Sequence, residues 1–245
     1  MIAAQVLSLS PWLVATAIVI VVIGSATQAS IGIGLGLLAA PTLVLIDPGF
    51  IPGAISVCVV PLTVGMTIRE RDHIDRTILR AAIGRLGGVV IGTVVLAQAG
   101  RDLIAIVVAA SVLLAVIGSA SGLSFAPSRR NLVLAGTASG FSGTVAGIGG
   151  PPMALTYQHA DPRTLRASLA AFNTIGSTFT IPGLVIAGAL GMRELQLAAL
   201  LVPGVFAGLW LGRVGIARLP AHRVRSFVLL ACASSAIVLL ANVLV

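Results

Sequence analysis

Apolar residues gather into ten stretches along this chain, separated by short joints rich in arginine, proline, aspartate and glycine. The stretches run over roughly 11–31, 33–46, 49–68, 77–98 and 102–123, then 131–146, 149–159, 163–189, 194–212 and 222–245. Apolar runs of this kind predict membrane-spanning helices. The second member of each set of five is too short to cross a hydrocarbon core of about 30 Å at about 1.5 Å per residue. The pattern therefore predicts an all-α polytopic membrane protein, with about eight long transmembrane helices plus two short re-entrant ones.

The two sets of five repeat each other. Gly32-Ile33-Gly34-Leu35-Gly36 returns as Gly147-Ile148-Gly149-Gly150-Pro151, each beside a short segment. Asp47-Pro48 returns 114 positions later as Asp161-Pro162, and Gly88 and Gly92 return 116 positions later as Gly204 and Gly208. Residues 1–125 read as a first repeat and 126–245 as a second, together one integral membrane domain. Duplication with broken helices at matching places points to a transporter whose site lies between the repeats. Each Asp-Pro pair suits an N-cap followed by a first helical turn, so both pairs are expected to open helices.

Composition agrees with the pattern. The 245 residues are 58% hydrophobic and 9% charged, with a mean hydropathy of +1.11, which leaves no room for a soluble domain beyond loops. The formal charge of +8 comes from fifteen arginines without a lysine, a balance that in a soluble protein would suggest nucleic acid. Here every arginine but Arg85 sits at a segment end, so the charge sets topology; the partner is the bilayer, and no nucleic acid is expected. No basic residue precedes Arg69, which argues against a cleaved secretory signal. Cys58 and Cys232 lie in apolar segments without metal-ligand spacing and read as packing residues, so neither metal nor cofactor is expected.

Arginine placement also decides how the segments thread. If each short segment turns the chain back, one face receives twelve arginines and the other only Arg101 and Arg193, a strong positive-inside bias. If each first pair were one broken crossing, the tally would be seven against seven. The first threading puts both termini outside the cytoplasm and inverts one repeat relative to the other. Residues 131–159 would span about 44 Å as helix against about 60 Å for two complete crossings, so the glycine turns are expected inside the membrane. Whether 11–31 crosses fully is not decided by length alone.

The glycine turns are the first candidate site. Glycine accepts positive φ and lets a ligand approach main-chain N–H groups, and a helix starting just beyond offers donors and a partial positive charge to an anion. Gly32, Gly34 and Gly36, with Gly147, Gly149 and Gly150, are expected to place two helix starts face to face, with Pro151 in the first turn of the second. Thr27, Gln28 and Ser30 precede the first turn, and Ser142 and Thr144 precede the second; they either bond neighbouring helices or face the cavity. Asn173, Ser177 and Thr180 share one helix face, with Thr174 and Thr178 beside it, and a polar face in a membrane turns inward. Arg85 falls about 12 Å along its helix, either facing the cavity, where it would bind an anion, or reaching for the cytoplasmic edge. Its repeat equivalent is Leu201. No carboxylate is expected mid-membrane, so the chain offers little for proton coupling.

With these motifs in place, the chain resembles the sulfite exporter TauE/SafE family of bacterial membrane permeases. The glycine motif at 32–36, its partner at 147–151, the basic loop ending His73-Ile74-Asp75 and the run from Gly140 to Pro151 carry the likeness. The resemblance implies about eight transmembrane helices in two homologous halves in the bacterial cytoplasmic membrane. It also implies transport of sulfite, sulfonates or related sulfur-containing organic anions. The expected activity is that of an exporter of a small anion, with oligomeric state left open. Two other readings compete. Gly140-Phe141-Ser142-Gly143 matches the G-x-S-G of rhomboid intramembrane proteases, but the one candidate base, His159, falls at the rim. An anion channel, or a carrier of other small organic anions, would share the polar cavity.

Overall fold

The computed structural model describes residues 10–121, 125–214 and 221–244. Among the described residues are ten α-helices and no strand. They are α1 (Pro11–Ile31), α2 (Leu35–Ile46), α3 (Gly53–Arg69), α4 (Leu79–Gln98) and α5 (Arg101–Ala120). Then follow α6 (Arg129–Ala146), α7 (Gly150–Tyr157), α8 (Pro162–Ile186), α9 (Met192–Val214) and α10 (Ala221–Leu244).

Local chemistry starts these helices. Ser10 accepts from the Leu13 N–H ahead of α1, Ser128 from Asn131 ahead of α6, and Asp161 from Arg163 and Thr164 ahead of α8. Each leaves fewer of the four unpaired N–H groups that open a helix. Asp47 departs from the expectation that it would do the same for the third helix. Its Oδ1 accepts from Gly49 N–H at 2.7 Å and starts a single 3-10 turn, Pro48–Phe50, while α3 begins only at Gly53. Pro52 is the reason: Ile51 before it is held extended, so no helix runs through it.

Among the described residues, four spans are long and apolar enough to cross a membrane: α1, α4 with the 3-10 turn before it, α8 and α9. The first helix, at 21 residues, reaches about 31 Å, enough for a full crossing. By contrast α2 and α7, with 12 and 8 residues, reach only about 18 and 12 Å. Trp12, Ile83, Ile186 and Trp210 are more than half exposed, apolar surface of the kind that faces lipid.

Helix α4 lies along α6, and α9 lies along α1. The fourth helix of the first five thus packs on the first helix of the last five, and the reverse holds. Small residues let the backbones touch. A methyl on Gly84 or Gly88 would strike the Val133 or Thr137 carbonyl of α6, and one on Gly136 or Gly140 would strike Ala81 or Arg85 of α4. At the other contact, a methyl on Gly212 would lie 2.6 Å from the Ala26 carbonyl of α1. Helix α3 packs on α8, and α5 on α10.

Polar ties mark the two ends. At one, Arg166 Nη2 pairs with Glu70 at 3.1 Å, and Asp75 Oδ2 accepts from the Thr77 hydroxyl (2.7 Å) and the Tyr157 hydroxyl (3.1 Å). At the other, Arg193 Nη2 pairs with Asp47 Oδ2 at 2.5 Å.

Candidate functional site

Both glycine motifs form turns in which one helix ends and a short one begins. Helix α1 closes on Gly32 at φ +90°, whose N–H donates to the Gln28 carbonyl at 2.8 Å. Helix α6 closes on Gly147 at φ +71°, and the next N–H, that of Ile148, donates to the Ser142 carbonyl at 3.2 Å. Both positions lie in the left-handed region, where glycine alone is unstrained. The two turns abut: a methyl on Gly36 would collide with the Gly147 carbonyl, and one on Gly150 would lie 3.2 Å from the Ile33 side chain.

Side chains brace each turn. Gln28 Oε1 accepts from the Leu35 N–H at 3.0 Å and so caps α2. The Ser142 hydroxyl lies 2.7 Å from the Ile148 carbonyl and 2.9 Å from that of Ala138. The first turn of α2 is therefore less open to a ligand than its sequence predicts, because one donor is already taken.

Between the turns lies a cavity of about 40 Å³, counted as the space open to the centre of a water-sized sphere. That is room for about three waters or one small oxyanion. From the first motif Gln28, Gly32, Gly34 and Gly36 line it; from the second, Gly147, Gly149 and Gly150. Arg85, Asn173 and Ser177 complete the expected set, with Thr180 below them. Three expected residues stand elsewhere. The Ser30 hydroxyl bonds the Ala26 and Gly212 carbonyls, tying α1 to α9 (2.8 and 3.1 Å). Thr144 is fully buried on the Gly140 carbonyl at 2.9 Å, and Ser142 lies behind its turn, outside this lining. Small hydroxyls four residues beyond a helix carbonyl satisfy themselves locally, and so they do here.

Arg85 is 4% exposed and faces the cavity. Its Nη1 donates to Asn173 Oδ1 at 3.1 Å and to Ser139 Oγ at 3.4 Å, and its guanidinium carbon sits 4.6 Å from the centre of the Phe172 ring. The Ser139 hydroxyl passes the contact on to the Gly149 carbonyl, joining the arginine to the second turn. Nε has no partner, and among the described residues no carboxylate pairs with this guanidinium. Gly176 makes the space it occupies: any Cβ there would overlap the guanidinium. A buried arginine that stays protonated and unpaired presents a whole positive charge to the cavity.

Ser139, Phe172, Gly176 and Ser56, which also lines the cavity, were not singled out from the sequence. Two had a signal: Ser139 stands one turn before Ser142, and Gly176 shares the helix face of Asn173. A second cavity, of about 400 Å³, opens between α5, α6 and α7 on the far side of Ile148 and Pro151. Its lining is apolar apart from Ser111 and Ser142 and carries no charge, so an anion has no partner there.

Fold and site together define a multi-pass helical membrane protein with a small polar cavity that, among the described residues, holds one buried cation without a carboxylate partner. A family model, the sulfite exporter TauE/SafE, matches residues 16–239, and the chain belongs to that family. No curated protein and no solved structure matches it. Membership makes it a membrane transporter of sulfur-containing anions, from a family of transporters rather than enzymes.

Proposed function

We propose that this protein exports sulfite or a small organosulfonate such as sulfoacetate across the bacterial cytoplasmic membrane, binding it in the cavity between the two glycine turns. The observation that carries the reading is Arg85, a buried cation with no carboxylate beside it among the described residues. The groups around it suit an acceptor-only ligand. Asn173 and Gln28 each engage the amide oxygen with a protein N–H, which leaves each NH2 group to donate. An –SO3 group, all acceptors, is the complement.

The two halves, 1–125 and 126–245, act in this reading as inverted repeats with the site near the midplane. The reciprocal packing of α4 on α6 and α9 on α1 supports it, as does the one-sided arginine distribution. Outward movement of an anion is favoured by an inside-negative potential by about 2.3 kcal/mol per charge per 100 mV, so no carboxylate relay is required.

Transport of sulfite and sulfoacetate by the purified protein in liposomes tests this. Arg85→Ala is expected to lower the rate at least thirtyfold, about 2 kcal/mol, while the helical circular dichroism is unchanged. Equal rates in the variant would overturn the assignment. Flux that saturates and supports counterflow marks a carrier; flux linear in substrate marks a channel.

A further inference from the structure

We infer that Thr180 is a second ligand contact, one that favours an organosulfonate with an oxygen acceptor on its second carbon over a ligand that is an oxyanion alone. This rests on the proposed binding of the sulfonate at Arg85, and adds to it the group that reads the rest of the molecule.

Thr180 lines the same cavity as Arg85 and is 4% exposed. Its hydroxyl has no hydrogen-bond partner among the described residues. That sets it apart from comparable side chains. The hydroxyls of Thr63, Thr67, Thr137, Ser142, Thr144 and Ser177 all bond the carbonyl four residues back. A helix commonly satisfies a serine or threonine in this way. Thr180 follows Ser177 on α8, yet its hydroxyl leaves the corresponding carbonyl, that of Gly176, alone. Buried polar groups are seldom left so, because the water they give up is then not replaced. The Thr180 hydroxyl therefore brings a free donor to the cavity wall.

The polar ends of the cavity are set apart along α8. At one end Arg85 Nη1 and Nη2 lie 3.1 and 3.3 Å from where a Cβ on Gly149 would stand, and Asn173 Oδ1 lies 3.4 Å from it. Guanidinium, amide and second glycine turn thus converge there. Thr180 stands seven residues beyond Asn173 on the same helix face, about 10 Å of rise. A hydrogen bond reaches about 3 Å from each end, which leaves about 4 Å for the ligand itself to bridge. That exceeds the spacing of two oxygens on one sulfur, and it suits an acceptor carried two carbons away. Ile33, Leu37, Val59 and Ile181 also line the cavity and give the carbon body an apolar wall. Sulfoacetate meets this description, with its –SO3 group at Arg85 and Asn173 and its carboxylate accepting from Thr180. Sulfite fills only the first place.

Calorimetric titration of the purified protein with sulfoacetate, ethanesulfonate and sulfite is the test. Ethanesulfonate has the two carbons but no acceptor on the second. Thr180→Val keeps the shape and removes the hydroxyl. Sulfoacetate is expected to bind about tenfold more weakly to this variant, while ethanesulfonate and sulfite change by less than about twofold. Thr180→Ser, which retains a hydroxyl, should retain sulfoacetate binding. Sulfoacetate binding untouched by Thr180→Val overturns the contact, and so does an equal loss for all three anions, which marks a packing role. Arg85→Gln separates that failure from a deeper one. It is expected to weaken all three ligands, and unchanged binding in this variant would overturn the Arg85 site itself.

Discussion

Arg85 occupies its place because position 176 has no side chain. The atoms that a Cβ on Gly176 would meet belong to the far end of the arginine, not to backbone. Gly176→Ala is therefore expected to leave α8 intact, and to favour it slightly, since alanine is better than glycine in a helix by about 1 kcal/mol. The guanidinium, however, must leave. Transport should fall at least tenfold with an unchanged or raised melting temperature, measured on the same detergent-purified sample. A fall in both together would mean that the notch serves packing rather than the site. At this scale the sequence was uneven. An arginine deep in an apolar segment announces itself, and so do Asn173 and Gln28. Gly176 is one of 28 glycines, and only its place on the helix face of Asn173 marks it. Ser30 and Thr144 could not be told from Ser177 by type, because which side of a helix faces the cavity depends on a neighbour far away in sequence.

Among the helices, adjacent glycines on α4 have opposite duties. A methyl on Gly88 would strike the Thr137 carbonyl of α6, whereas a methyl on Gly87 would meet nothing within 4 Å. Gly88→Ala is expected to destabilise by about 1–3 kcal/mol through overpacking, and Gly87→Ala to be neutral or slightly stabilising. Thermal unfolding of the two variants side by side checks this; equal effects would mean that α4 and α6 do not touch at this level. Helix extents were legible because apolar length and proline placement are local properties. The start of α3 was not, since an Asp-Pro pair opens a helix at 161 but only a single 3-10 turn at 47, where Pro52 lies just ahead. The tie holding α7 is also clear only in three dimensions. Burial raises the Asp75 pKa, but the Thr77 side chain and backbone, Tyr157 and the charge of Arg80 outweigh it and hold the carboxyl below its usual range. The tie therefore persists at neutral pH and is lost only as pH falls through that lowered value.

For the molecule as a whole, the arginine tally predicts which end faces the cytoplasm. The Glu70–Arg166 end carries Arg69, Arg71, Arg76 and Arg80, while the Asp47–Arg193 end carries few arginines. Alkaline phosphatase, active only outside the cytoplasm, is expected to be active when fused after residue 245 and inactive when fused in the loop between α3 and α4. The opposite pattern would reverse the orientation. The pairing of α9 with α1 has a further consequence, for the order in which the chain is made. Val22 and Gly208 touch across 186 residues. At synthesis rates of about 5–20 residues per second, α1 waits roughly 10–40 s in the bilayer before its partner arrives. Throughout that interval the side of α1 that carries Ser25 must lie in lipid or be shielded by the insertion machinery. The first helix is covered on that side only after the ninth has been inserted.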